Sequence, residues 1–317
     1  MVSEEFSRHV STILDGVLTS VTVTADNIMA AAKSARRLSS GGLQQITPWH
    51  LKRALLADTN QAGALAASRL ATRWARGDFS SSLGELVAES QLIALYKDSS
   101  KTDVRPVVIG CALRRLLTRA YCAKTKDKIL AHCRESQLGL LKGGYEVGVH
   151  AMRELAKQAN VSGWVIMLLD FANAFNSVDR NLLLKLACAH CPDLAKLTLW
   201  LYERESLLVT TRGDTLKSST GTQQGSTLSN PLFALTMEFI ASKIRNIKGL
   251  RVRQFYWDDT ALVGSPKAIA IATKTIQDLS SVTGLNLKWK KCHLHGTPKL
   301  IEECKGMSVP APPRNYT

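Results

Sequence analysis

The sequence predicts an α+β fold built on a ferredoxin-like antiparallel sheet with helices, and three patterns indicate it. Six consecutive apolar residues, 164–169, lead into Asp170, which is typical of a short strand buried on both faces. Residues 254–264 place aromatic and β-branched residues on either side of Asp258-Asp259, which predicts a hairpin with an acidic tip. The alternation of strand, helix, helix, strand, strand, helix and strand fits a ferredoxin-like arrangement.

The first half of the chain is predicted to be mainly helical. Residues 1–45 are expected to form a weakly helical N-terminal extension. A helix begins at Thr47-Pro48, because Thr caps a helix well and Pro suits its first position. A strand at 92–96, a polar turn and a second strand opening at Arg105 come before a basic helix at 112–130. Gly143-Gly144 breaks the chain ahead of a helix at 145–158.

The second half supplies the rest of the sheet and its helices. Helices are predicted at 178–190 and 192–204, and 207–211 with 215–217 should form a hairpin. A flexible loop at 221–225 leads to a helix that starts at Asn230-Pro231. After the acidic hairpin, an amphipathic helix at 268–282 ends at Gly284, and Leu285–Trp289 is predicted as an edge strand.

Composition limits the function classes. The chain has 317 residues, 45% of them hydrophobic, with 41 Lys and Arg against 26 Asp and Glu, a net charge of +15. A globular protein this basic is expected to bind a polyanion, and nucleic acid is the first candidate. No apolar run approaches membrane-spanning length, and Glu4-Glu5 rule out a signal peptide, so we expect an intracellular protein without a membrane partner.

The cysteines favour a reducing compartment. Seven cysteines, an odd number in a chain of this length, do not indicate a disulfide framework. Cys188 to Cys191 and Cys292 to His295 each contain residues that bind zinc. The two segments lie far apart in sequence, and the first ends an apolar helix where cysteines are common core residues. A structural zinc site is therefore the minority interpretation.

The acidic residues suggest a magnesium site. Asp170 sits where a rigid strand leaves the core, so its backbone cannot drift. Asp258 and Asp259 are neighbours, and adjacent carboxylates both stay ionised only in solvent or beside cations. Two such sites on neighbouring strands could hold Mg²⁺, which prefers carboxylate oxygens together with substrate phosphates. Taken alone, Asp170 could equally be a simple cap of the next turn.

Six segments follow one another along the chain: Arg105–Gly110 with Leu113–Leu116, Gln137–Gly139 with Lys142–Gly144, Asp170–Ser177, Gln223–Ser226, Tyr256–Asp259, and Gly284–Leu287 with Lys291. Together they resemble the palm and fingers of a reverse transcriptase, closest to those of non-LTR retrotransposons. The matches span about two-thirds of the chain. A single Asp-Asp or Gln-Gly pair is a weak signal, but six ordered matches form a strong one.

The resemblance implies a domain organisation and an activity. Residues 46–160 would form a fingers-like region, and residues 161–317 a polymerase palm that includes 190–222. No thumb is recognised after Lys291, so a partner or a further segment would supply one. The implied activity is RNA-directed DNA synthesis, a nucleotidyl transfer that uses an RNA template, a DNA primer, dNTPs and two Mg²⁺ ions, with Mn²⁺ as a substitute.

The resemblance also assigns roles to individual residues. The catalytic residues would be Asp170, Asp258 and Asp259, which with the Phe171 carbonyl would hold the metal ions. The nucleotide would contact Lys97, Arg105, Phe171, Phe175, Gln224 and Lys291. Phe175 would exclude a ribose 2′-hydroxyl, and Lys291 would protonate the leaving pyrophosphate, with Lys290 an equal candidate. Phe175 could instead be a core residue, and Arg105 a surface strand residue.

Two other functions compete with this one. The chain could be a palm remnant that binds RNA or DNA with little or no catalysis, which the expected lack of a thumb favours and the complete set of aspartates opposes. It could also be an RNA-dependent RNA polymerase, which an aromatic residue at Phe175 opposes. Two positions depart from the family pattern: Trp257 is bulkier than the usual residue, and Asn230 replaces a proline.

Overall fold

A computed structural model describes residues 21–96, 99, 104–307, 309 and 315–316. Part of the expected N-terminal extension (residues 1–20) and the predicted nucleotide contact Lys97 lie outside these residues. The helices are α1 (Ala25–Lys33), α2 (Pro48–Ala57), α3 (Ala62–Arg76), α4 (Ser81–Ala88), α5 (Ala112–Cys133), α6 (Gly144–Ser162), α7 (Ala174–Ser177), α8 (Arg180–His190), α9 (Pro192–Tyr202), α10 (Ser229–Ile244), α11 (Pro266–Asp278), α12 (Ser280–Thr283) and α13 (Pro298–Gly306). The strands are β1 (Ser90–Tyr96), β2 (Val104–Gly110), β3 (Val165–Leu169), β4 (Ser206–Thr210), β5 (Thr215–Ser218), β6 (Leu250–Tyr256), β7 (Asp259–Gly264), β8 (His293–His295) and β9 (Asn315–Tyr316).

The chain divides into two compact units. The first unit runs up to Ile129 and resumes at Leu183–Leu232, and the second comprises Leu130–Leu182 and the chain from Phe233 onward. The domain boundaries drawn from the sequence stay a prediction. Among the described residues, no helix combines the length and the apolar character needed to cross a bilayer.

The first unit contains a four-stranded sheet in the order β2-β1-β4-β5. Strands β1 and β2 pair antiparallel, as do β4 and β5, so both predicted hairpins are confirmed. β1 and β4 pair in parallel, which the sequence did not indicate. Helix α2 begins as its sequence predicts, because the Thr47 hydroxyl accepts a hydrogen bond from the His50 amide and Pro48 is its first residue.

The second unit contains a five-stranded sheet in the order β6-β7-β3-β8-β9. Its first four strands pair antiparallel, and their order is that of a ferredoxin-like sheet. The α+β fold predicted from the sequence is therefore confirmed. Strand β9 joins the edge in parallel with β8.

Successive side chains of β3 point to opposite faces of the sheet, and both faces are packed against other residues. Val165, Met167 and Leu169 are almost fully buried on one face. On the other, Ile166 belongs to a small buried cluster with Ala159 of α6 and Val263 of β7. This alternation also decides on which face Asp170 emerges, because residues 166, 168 and 170 share it.

The predicted edge strand at Leu285–Trp289 is wrong. Leu287 forms only an isolated bridge with Phe171, residues Trp289–Lys291 form a 3-10 turn, and the strand beside β3 is His293–His295. The alternation of Leu285, Leu287 and Trp289 suits a half-buried extended segment, but it carries no information on which backbone supplies the partner.

Candidate active site

Asp170 is held at the end of β3 by hydrogen bonds of its own backbone. Its carbonyl accepts from the Lys288 amide at 2.8 Å, and the amide of Ala172 donates to the Asn286 carbonyl at 2.9 Å. These two bonds continue the pairing of β3 beyond its last strand residue, on the side of the extended segment Leu285–Trp289. This segment therefore fixes the backbone that carries the Asp170 carboxylate from one side of the strand end.

The acidic hairpin lies on the other side of β3. Strands β6 and β7 are joined by Trp257 and Asp258, and Tyr256 pairs with Asp259 across the hairpin. Leu169 pairs with Thr260, so the next position of the same register brings Asp170 alongside Asp259. Partial burial first, and then the negative charge of Asp170, raise the pKa of the Asp259 carboxyl above its ordinary value.

Asp170 and Asp259 line a cavity of about 560 Å³ between α6 and the sheet. Most of its wall is apolar, with Met152 of α6 and Ile166 and Leu168 of β3 among the residues that form it. The basic residues of the wall are Arg153, Lys291, His293 and His295. Burial first, and then His293, lower the pKa of His295, which favours its neutral form. The cavity thus offers an apolar floor beside two carboxylates and two cationic side chains.

Of the two candidate lysines, only Lys291 is among the residues that line this cavity. The 3-10 turn at Trp289–Lys291 begins just after Lys288, whose amide is bonded to Asp170. Both lysines are exposed, and Lys290 does not line the cavity. Geometry therefore separates two residues that the sequence left equal.

Phe175 has a packing partner of its own. It lies in α7, which begins directly after Asn173, a residue in the left-handed region with a φ of 48°. The half-buried ring stacks on that of Phe233, with centroids 4.3 Å apart and planes inclined by 24°. This stacking fixes the orientation of the ring. It is compatible both with a core residue and with a residue that excludes a ribose 2′-hydroxyl.

Arg105 and Gln224 belong to the first unit. Arg105 is exposed on β2, opposite Leu95. Gln224 is half-buried, and its backbone carbonyl accepts from the Val108 amide at 2.7 Å, so the loop runs along β2. Gly225 follows with φ 109°, and a Cβ there would lie 2.5 Å from the Val108 carbonyl oxygen. Only glycine fits this approach.

Gln223, the neighbour of Gln224, is a buried hydrogen-bonding centre that sequence analysis missed. Its side-chain amide donates to the Ser206 hydroxyl at 2.9 Å and to the Ala88 carbonyl at 3.2 Å. Its side-chain carbonyl accepts from the Arg114 guanidinium at 3.0 Å. Arg114 is itself buried, which lowers its pKa, and it also donates to the carbonyls of Val87 and Ala88. The only signal in the sequence was the presence of two adjacent glutamines, which does not say which one is buried.

The oxygen ligands available in the second unit suit a divalent cation. Asp170 and Asp259 are together, and Asp258 lies in the turn between the strands. Within the described residues, no group of three or more His, Cys, Asp or Glu side chains is placed to hold a metal ion. Two neighbouring carboxylates that repel each other are hard donors of the kind that Mg²⁺ prefers, and part of its shell comes from water and substrate.

Comparison with known proteins identifies the family. The family described as reverse transcriptase (RNA-dependent DNA polymerase) matches residues 96–302. That match covers more than half of the chain, which therefore belongs to the reverse transcriptase family. Members of this family generally use divalent metal ions.

The other comparisons add little. The solved structure of an apo telomerase from Candida tropicalis, truncated from its C-terminal domain, is similar to 65% of the chain at 11% sequence identity and a TM-score of 0.47. The match spans half (50%) of the length of that telomerase chain. No curated protein sequence matches.

Proposed function

We propose that this protein synthesises DNA from dNTPs on an RNA template, by two-metal phosphoryl transfer, as part of a retrotransposon-type element. The observation that carries the proposal is the pairing of β3 with β7, which brings Asp170 beside Asp259 at a cavity in a chain of this family. The order of the motifs and the aromatic residue at Phe175 support the retrotransposon type and the preference for dNTPs.

The chain extension reaction is an in-line attack of the primer 3′-hydroxyl on the α-phosphorus of the nucleotide, and positioning with charge stabilisation supplies most of its catalysis. Asp170, Asp258 and Asp259, with the Phe171 carbonyl, would hold the divalent cations. Bound there, Mg²⁺ or Mn²⁺ would neutralise charge that develops on the phosphoryl and pyrophosphate oxygens.

The remaining residues of the proposed site would bind, orient and select the nucleotide. Lys291 lines the same cavity as the two aspartates, and an ammonium beside phosphate can give its proton to the leaving pyrophosphate. Phe175 would occupy the space of a ribose 2′-hydroxyl. Lys97, Arg105 and Gln224 would contact the nucleotide, with arginine suited to phosphate through its paired donors.

Primer extension on an RNA template tests the proposal. We expect the wild-type protein to add dNTPs to a DNA primer only when Mg²⁺ or Mn²⁺ is present. Asp258→Asn keeps the shape of the side chain and removes its charge, so it should lower the rate on the order of a thousandfold. The matched control is Asp179→Asn, which removes a carboxylate of the same unit that accepts from the Leu182 amide at 2.8 Å. Asn caps a helix as well as Asp, so this variant should keep its rate.

Binding to primer–template is measured in parallel by fluorescence anisotropy. The net charge of +15 predicts an affinity that falls steeply as salt rises, and Asp258→Asn should retain it. A protein that binds tightly and never extends a primer with dNTPs would be a nucleic-acid-binding remnant. Extension with NTPs in place of dNTPs would identify an RNA-dependent RNA polymerase.

A further inference from the structure

The tip of the acidic hairpin holds a backbone conformation that its residue disfavours. Trp257 has a φ of 55°, in the left-handed region. A side chain with a Cβ atom is destabilised there by about 1–2 kcal/mol, and bulky residues are rarely found in it. Trp257 directly precedes Asp258 and Asp259, so whatever holds its backbone also holds the backbone of both aspartates.

The side chain of Gln137 bonds to both polar backbone groups of Trp257. Gln137 is fully buried, and its side-chain oxygen accepts from the Trp257 amide at 2.8 Å while its side-chain amide donates to the Trp257 carbonyl at 3.4 Å. The same oxygen accepts from the Gly139 amide at 3.0 Å. The glutamine side chain therefore pairs the backbone amide and carbonyl of Trp257, as a neighbouring strand would do in a sheet.

The backbone around Gln137 is fixed to the same hairpin. The Phe255 amide of β6 donates to the Ser136 carbonyl at 2.9 Å, and Gln137 forms a parallel bridge with Phe255. The Ser136 hydroxyl donates to the Glu238 carboxylate, away from the hairpin. The donor and acceptor of Gln137 are thus presented from a segment that is anchored on both sides.

Gly139 accommodates the indole of Trp257. A Cβ at this glycine would lie 2.6 Å from one indole carbon and 2.7 Å from another. No larger residue fits unless the indole moves. Gln137 therefore binds the backbone of Trp257, and Gly139 leaves room for its side chain.

We propose that Gln137 is a positioning residue for the acidic hairpin, because it holds Trp257 in the left-handed conformation and so fixes Asp258 and Asp259. Its effect on catalysis rests on the proposed function. The effect on the hairpin backbone does not, and the two can be measured separately. A purely structural role would destabilise the fold whatever residue stands at 257. The proposed role disappears when residue 257 adopts a positive φ without strain, as glycine does.

A double-mutant cycle of Gln137→Met and Trp257→Gly tests this distinction. Methionine keeps the volume of glutamine and removes its hydrogen bonds. In the wild-type background, Gln137→Met should speed amide hydrogen exchange in residues 254–262 by roughly three- to tenfold and lower kcat by a similar factor. The Kd for primer–template should stay unchanged. In the Trp257→Gly background, the same substitution should change both quantities less than about twofold.

Two further variants complete the experiment. Ser136→Ala removes a buried hydrogen bond from the same segment but keeps the Ser136 carbonyl and the Gln137 side chain, so exchange in residues 254–262 should rise less than in Gln137→Met. Gly139→Ala should mimic Gln137→Met by pushing the indole away, and Trp257→Gly should rescue it as well. Independent, additive effects of Gln137→Met and Trp257→Gly would overturn the proposal, as would an equal response to Ser136→Ala. If the wild-type protein shows no polymerase activity, the proposed function fails, and the exchange data alone still decide the role of Gln137.

Discussion

Gln223 and Gln224 are adjacent, and replacing each with alanine should have opposite consequences. The Gln223 side chain bonds to Ser206, Ala88 and the buried guanidinium of Arg114. The backbone carbonyl of Gln224 accepts a hydrogen bond from the Val108 amide of β2, and alanine keeps this carbonyl. We therefore expect Gln223→Ala to destabilise the first unit and Gln224→Ala to leave its stability unchanged.

The magnitude follows from the bonds that are lost. Two hydrogen bonds between neutral groups contribute about 1 kcal/mol each, and leaving the Arg114 guanidinium short of a buried acceptor costs about 1–3 kcal/mol. Gln223→Ala should thus lower the free energy of unfolding of the first unit by at least about 3 kcal/mol. Gln224→Ala should change it by less than about 0.5 kcal/mol.

Hydrogen exchange read in peptides of β1 and β4 measures this stability in the first unit alone. A loss of about 3 kcal/mol corresponds to exchange faster by roughly a hundredfold. Primer extension measures the effect expected of the other variant. Gln224→Ala should stay fully folded and raise the KM for dNTPs. Equal exchange rates in the two variants would refute the assignment of Gln223 as the structural glutamine.

Three other variants test the site. Phe175→Val should lower the preference for dNTPs over NTPs by at least about tenfold in primer extension, and an unchanged preference in an active variant would make the residue a packing residue only. Gly225→Ala forces a Cβ toward a backbone carbonyl at a φ of 109°. The free energy of unfolding should therefore fall by roughly 2 kcal/mol, which a lower melting temperature would show. The pKa of Asp259 is raised in the native state, so this carboxyl lowers stability as the pH rises through its native pKa. Without divalent cations, Asp259→Asn should therefore raise the melting temperature at neutral pH, by the equivalent of under about 1 kcal/mol because the side chain is only partly buried, and the gain should shrink as the pH falls through the native pKa of this carboxyl.

The sequence predicted the central sheet because its signals are local and strong. An apolar run that ends in Asp170 and a hairpin with two aspartates at its tip each specify a strand end, and the order of elements specifies the ferredoxin-like arrangement. The prediction of an edge strand at Leu285–Trp289 is wrong, because the alternation of apolar residues indicates how a segment is buried but not which backbone it pairs with.

Side-chain roles were harder to predict than strands. Lys290 and Lys291 have the same chemistry, and only the 3-10 turn decides which of them lines the cavity. Gln137 appeared in the sequence as part of a family motif with no assigned role, since its partner lies 120 positions away. Contacts of that separation leave no periodic trace in a single sequence.

The same separation has a consequence for folding. A hairpin such as β6–β7 can form within about 1–10 μs from local contacts, but the bond between Gln137 and Trp257 closes a loop of 120 residues. Contacts that close long loops must first overcome the entropy of closure, so they form late. The two strands should therefore associate before the residue between Tyr256 and Asp258 takes its final backbone conformation. A partly folded chain would then show hairpin protection in pulsed hydrogen exchange at the strand amides, while the amide of Trp257 still exchanges freely.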